Sequence, residues 1–261
     1  MRRSILLALL LLPAPAWAGA WTEGRGKWQL ISGLIASEAD RTFGTTAPIS
    51  FRRALFQNYL EYGFRDGITL IGATETATVR IVQNGGAPFQ TVDNAFAAGI
   101  RVRLDRYLKL GANDTMAVEA GWREAGAFNF AVSANRSAGG QGEEVHFLYG
   151  HTFKLGGRDG YIDIATGRDF LTGGRADETP FDFTAGWWIS KSHLLMAQSF
   201  NLFSGAGRTA AYPAFNSHKL ELSWVWRRSA RTLFQLGAFY SPAGNNALVE
   251  EGVAFSVWRR N

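Results

Sequence analysis

The chain has 261 residues, enough for one large domain or two small ones. Hydrophobic residues make up 46% and aromatic residues 13%, yet mean hydropathy is close to zero, so apolar side chains must be interleaved with polar ones. The absence of cysteine excludes a disulfide scaffold and any Cys-ligated metal centre. The net charge of +5 contains no basic run longer than two residues, which argues against a nucleic-acid partner.

Met1-Arg2-Arg3 is a short positive stretch, Ile5 to Leu12 is an apolar run, and Ala16-Trp17-Ala18 has the small-x-small pattern of a processing site. Residues 1–18 therefore read as a secretory signal peptide cleaved after Ala18, directing export by the general secretory route. Pro13 and Pro15 interrupt the run, which is shorter than the roughly 20 residues of a membrane-spanning helix. Residues 19–261 then form a single mature domain. Loss of Arg2 and Arg3 lowers its net charge to +3.

From there onward the apolar residues recur at period two. The segments centre on Trp28 to Ser37, Phe51 to Phe64, Ile68 to Val82, Asn94 to Arg106, Thr115 to Glu124 and Glu144 to Lys154. They continue with Tyr161 to Phe170, Phe181 to Ser190, His193 to Phe203, Phe215 to Arg227, Thr232 to Tyr240 and Leu248 to Trp258. In the fourth, Phe96, Ala98, Ile100, Val102 and Leu104 share one parity while Gly99, Arg101, Arg103 and Asp105 share the other. Successive strand residues point to opposite faces, so each segment has one apolar and one polar face.

Connections alternate in length: Arg65-Asp66-Gly67 and Lys191-Ser192 are short, whereas Ala125 to Glu143 and Ser204 to Ala214 are long and rich in small residues. This pattern predicts an all-β fold, an antiparallel up-and-down transmembrane β-barrel of about 12 strands with short periplasmic turns and longer extracellular loops. A soluble β-sandwich or lipocalin-like barrel, with the apolar parity inside, is the alternative that periodicity leaves open. Polar faces poor in Lys and rich in Gly, Ala and Arg, and Trp and Tyr gathered near segment ends, favour the membrane barrel.

Two turns predict register. Lys191-Ser192 as a two-residue turn would pair Ile189 with Leu194, Trp187 with Met196 and Phe183 with Phe200 on the lipid face. A turn centred on Gly111 would pair Val102 with Ala120 and set Arg103 opposite Glu119.

The final stretch Glu250-Glu251-Gly252-Val253-Ala254-Phe255-Ser256-Val257 resembles the C-terminal strand signal read by the outer-membrane assembly machinery, although the chain runs on through Trp258-Arg259-Arg260-Asn261. The stretch Tyr59-Leu60-Glu61-Tyr62-Gly63-Phe64-Arg65-Asp66-Gly67-Ile68-Thr69-Leu70 resembles a hairpin repeat of small proteobacterial barrels grouped with the meta-pathway phenol-degradation transporters. Both resemblances imply a bacterial outer-membrane location, with outer-membrane lipids and lipopolysaccharide around the barrel.

Charges cannot face lipid cheaply, since Arg at the bilayer midplane costs about 2–4 kcal/mol. The inward parity is therefore expected to carry Arg53, Glu61, Glu75, Arg101, Arg103, Glu119, Arg123, Glu144, His146, Asp163, Asp182, Lys219 and Glu221. Such a lumen could line a narrow porin-like channel for passive transport of small solutes. The alternative is that the charges interlock into a closed ladder, making the protein a structural or accessory barrel of an envelope or export system.

Enzymatic activity is not expected. Ser192-His193 and Ser217-His218 are adjacent and so lie on opposite strand faces, where they cannot share a proton. Asp163, Asp169, Asp177 and Glu178 lack the spacing of a calcium loop, so neither a metal nor a cofactor is expected.

Overall fold

The computed structural model describes residues 19–44, 48–83, 85–125, 140–208 and 213–261, and in it the period-two segments form twelve antiparallel strands. They are β1 (Trp28–Ala39), β2 (Ile49–Arg65), β3 (Ile68–Gln83), β4 (Phe89–Arg103), β5 (Asp114–Ala125) and β6 (Gly140–Leu155). The second half comprises β7 (Arg158–Leu171), β8 (Glu178–Trp188), β9 (His193–Ser204), β10 (Phe215–Arg227), β11 (Thr232–Asn245) and β12 (Glu251–Arg260). Each strand pairs with its chain neighbours, and β1 closes on β12 from Gln29↔Arg260 to Glu38↔Glu251. Closure satisfies the backbone groups that an open sheet edge would leave unpaired, which a strand in hydrocarbon requires.

The outer face settles which parity meets the surroundings. Leu34, Phe56, Phe96, Phe147, Phe181, Leu195, Leu222, Leu236 and Phe255 are exposed on the outer wall around the barrel, an apolar belt that a water-facing surface does not carry. Tyr62, Phe64, Trp187, Trp224 and Trp226 ring the end with the short turns, and Phe170, Phe181, Phe203 and Tyr240 ring the opposite end. These are the aromatic girdles of a transmembrane barrel.

At the turn end, residues 66–67, 156–157, 189–192 and 228–231 make tight connections. Gly156 and Gly157 adopt φ of 59° and 74°, a left-handed pair that only glycine enters without strain. The connection over residues 104–113 is longer than expected, because Asp105–Leu108 winds into one helical turn, α1, that stops at left-handed Lys109.

Two registers differ from expectation. The β8–β9 hairpin turns through residues 189–192, with Ser190 Oγ accepting from the His193 amide, so Trp187 faces Leu195 and Phe183 faces Ser199. Leu194, Met196, Phe200 and Leu202 thus point into the lumen rather than to lipid. Between β4 and β5, α1 takes up extra chain, Val102 pairs with Val118, and Glu119 lies opposite Arg101, not Arg103.

The lumen is filled more by apolar packing than the charge pattern suggested. Ile35, Phe51, Leu55, Val79, Ile81 and Phe239 cluster toward the loop end of β1–β3. Tyr161, Trp188, Leu194, Met196, Val225, Leu233 and Trp258 cluster toward the turn end of β7–β12. Both faces of these strands are therefore apolar, which periodicity of one face could not reveal.

Candidate functional site in the barrel lumen

Before β1 begins, residues 19–27 fold back into the turn end of the barrel. Ala20 is fully buried against Ala117 and Leu148, and Trp21 meets Tyr161 edge-on with ring centroids 6.0 Å apart. Glycines make room for this strap. A Cβ on Gly150 would lie 2.5 Å from the Trp21 ring, and one on Gly63 would lie 2.0 Å from the Gly24 carbonyl oxygen. Backbone bonds anchor its exit, with the Gly26 amide donating to Gly63 O at 2.7 Å and the Gly63 amide to Lys27 O at 2.8 Å. The Glu23 amide donates to Thr69 Oγ1 at 2.8 Å, and burial pushes the Glu23 carboxyl above its ordinary range, with Glu61 adding to the effect.

Above the strap sits the first of three ionic knots. Arg101 Nη1 donates to Glu61 Oε1 at 2.7 Å and to the Trp21 carbonyl at 3.0 Å; Nη2 donates to Tyr59 Oη at 2.9 Å and Glu119 Oε2 at 2.9 Å; Nε donates to Glu119 Oε2 at 3.0 Å. All five guanidinium protons are used, and one of them holds the strap. Glu61 is fully buried and also accepts from Tyr59 Oη at 2.9 Å.

The second knot lies toward the loop end, where Glu250 receives Lys219 Nζ at 2.8 Å, Arg53 and the Ser37 hydroxyl. The third joins Arg123 to Asp169 at 3.7 Å and Glu178 at 3.6 Å, with Arg175 reaching Glu178 at 3.2 Å. Cross-strand partners Glu144 and Asp169 stand beside His146, whose Nε2 lies 2.8 Å from Asp169 Oδ1. The donor atoms of these three lie within 4.8 Å of one another, a spacing a divalent ion could bridge, although Arg123 already answers one oxygen of Asp169.

A cavity of about 370 Å³ opens between the knots. Arg123, His146, Asp169, Asp182, Lys219 and Glu221 give it charge, while Ile35, Phe200, Leu202 and Phe239 give it apolar walls. Glu221 is held by Ser223 and Gln235. Arg53, Glu61, Arg101, Glu119, Arg123, Glu144, Asp163, Lys219 and Glu221 thus all sit on the inner parity, as does Glu75. Arg103 shares that parity but ends β4 at the rim, where it pairs with Asp105 at 3.2 Å instead of Glu119.

Glu250, Tyr59 and Glu178 were missed as lumen partners. Glu250 precedes β12 and turns inward from a connection, so strand parity carried no signal for it. Ser217 is buried in the lumen while His218, bonded to Asn201 at 2.8 Å, lies on the opposite face, as expected; His193 stacks on Trp224 at 5.4 Å on the outer wall, but Ser192 lies in the turn before β9 rather than on a strand.

No family model matches the chain, and no curated protein does. Solved structures do. The chain is similar to the COG4313 outer membrane channel from Pseudomonas putida F1, with TM-score 0.68, 12% identity, and 95% of this chain and 100% of that one covered. It is similar to the translocator domain of autotransporter NalP from Neisseria meningitidis at TM-score 0.55 and 11% identity, covering 92% and 90% of the two chains. It is also similar to the KdgM porin in complex with disordered oligogalacturonate, at TM-score 0.52 and 8% identity, covering 88% and 98%. The fold is that of the bacterial outer-membrane β-barrels. Within that class it shares its architecture with channels and porins as well as with a translocator domain.

Proposed function

We propose that the protein is an outer-membrane barrel forming a narrow, porin-like path for passive transport of small solutes, with its turn end in the periplasm. One observation carries this reading: the turn end is filled by the strap of residues 19–27, a segment outside the barrel wall, and a mixed-charge cavity of about 370 Å³ lies beyond it. A barrel whose only task is structural could close its lumen with wall side chains alone. The similarity to two channels of known structure supports the same reading. The wall would be bathed in outer-membrane lipid and lipopolysaccharide, and Val253, Phe255 and Val257 on the outer face of β12 would be read by the assembly machinery.

Planar-bilayer recording of the purified protein tests the proposal, which expects small discrete current steps. The full burial of Glu61, with Arg101, Lys219 and Glu250 almost as deep, favours a second reading, a closed charge ladder in a structural or accessory barrel. Absence of steps from correctly folded protein would select that second reading.

A further inference from the structure

We infer that Asp163 is the receptor for the α-ammonium group that signal-peptide cleavage would create on Gly19, so that processing locks the strap into the lumen. The inference rests on cleavage after Ala18 and does not require that the lumen conduct.

Asp163 lies on the inner face of β7 and is only 7% exposed. Its Oδ1 has no hydrogen-bond partner, and the Ala20 amide donates to its carboxylate. Each of the other deeply buried carboxylates of the lumen, Glu61, Asp169, Glu178 and Glu250, has an arginine, lysine or histidine within 4 Å. No such pair within 4 Å involves Asp163 among the described residues; Arg101 acts on it only from longer range, and a buried carboxylate without a contacting cation is costly.

After cleavage, Gly19 would supply a cation in direct contact. A Cβ placed on Gly19 would fall 1.3 Å from Asp163 Oδ2, so the residue is pressed onto the carboxylate; a side chain there would have to displace Asp163 and adopt a φ of 144°, which L residues rarely take. Backbone covalent geometry puts the nitrogen about 2.5 Å from that Cβ position, so the Gly19 nitrogen lies within about 3.8 Å of Oδ2, inside ion-pair range. While residue 18 is attached, this nitrogen is a neutral amide. Hydrolysis of the Ala18–Gly19 bond adds water across it, releases the Ala18 carboxylate on the leaving peptide and leaves Gly19 with an amine. With an ordinary pKa near 7.7–8.0, that amine is protonated at pH 7. The new ammonium and the Ala20 amide then address one carboxylate together, in a charge-assisted contact. The sequence feature that sets the cleavage site and the one that fits the carboxylate thus meet at a single glycine.

The chain lacks cysteine, so Thr22→Cys introduces a lone reporter thiol in the strap. The protein is refolded in two forms, one beginning at Gly19 and one carrying two extra residues before it, each with Asp163 or Asp163→Asn. Maleimide labelling should be about tenfold or more slower for the Gly19 form than for the extended form, and Asp163→Asn should abolish that difference. Equal rates in the two Asp163 forms, or a difference that survives Asp163→Asn, would overturn the inference. Should Asp163→Asn fail to fold, the folded Gly19 chain decides alone. Its α-amine should be acetylated about tenfold or more slowly at pH 7 than in the urea-unfolded chain, and equal reactivity would refute the latch.

Discussion

Replacing Arg101 by Met deletes a guanidinium whose five protons all have acceptors, two on Glu119 and one each on Glu61, Tyr59 and the strap carbonyl of Trp21. Glu119 is partly exposed and can take up water, but Glu61 is completely buried and would keep only the Tyr59 hydroxyl. Stranding one member of a buried pair costs about 3–5 kcal/mol. The loss is read by guanidinium unfolding of the lipid-reconstituted barrel, followed by tryptophan fluorescence and by heat-modifiable gel migration. Arg52→Ala is the internal control, since its contact with Glu38 is 3.7 Å long and lies exposed on the outer wall, where a pair contributes about 0–1 kcal/mol. The double variant Glu61→Gln/Arg101→Met should recover much of the loss, because the stranded charge is gone. If Arg101→Met costs no more than Arg52→Ala, the knot is not desolvated and the reasoning fails.

Leu222→Arg on the middle of the outer face of β10 should cost about 2–4 kcal/mol, whereas Val102→Arg, one residue from the end of β4, should cost about 0–1 kcal/mol; equal costs would contradict the membrane placement. Arg103→Ala should change stability by less than about 1 kcal/mol in the same unfolding assay, since its partner is the rim residue Asp105. Gly63→Ala drives a Cβ to within 2.0 Å of the Gly24 carbonyl and should expose the strap to labelling without unfolding the barrel. An epitope within residues 205–214 should be reached by antibody on intact cells, and one at Lys191-Ser192 should be reached only after the outer membrane is opened.

The strand count and the facing of most strands were legible because a barrel wall imposes period two on every segment, and charged residues such as Arg101 and Glu119 then fall inward by cost alone; β9, apolar on its inner face, was the exception. Register was less legible. A two-residue turn at Lys191-Ser192 satisfies one apolar parity as well as the observed four-residue turn does, because Leu194, Met196, Phe200 and Leu202 are apolar although they face the lumen. The Arg103–Glu119 pairing failed for a related reason. A short helical turn at Asp105–Leu108 consumed residues that a plain hairpin would have placed in the ladder. The strap had no periodic signature, and its clues were glycines 63 and 150, whose need for space shows only against a partner in three dimensions. The long connection expected over Ala125 to Glu143 falls largely outside the described residues, with β6 already begun at Gly140.

In the proposed function, the lumen is a solute path narrowed by the protein's own strap, residues 19–27. Single-channel recording of the chain beginning at Gly19, against the same chain lacking residues 19–25, tests it most directly. Small steps are expected for the first and several-fold larger steps for the second, at equal heat-modifiability. Silence from both folded proteins, or identical steps from the two, would contradict it.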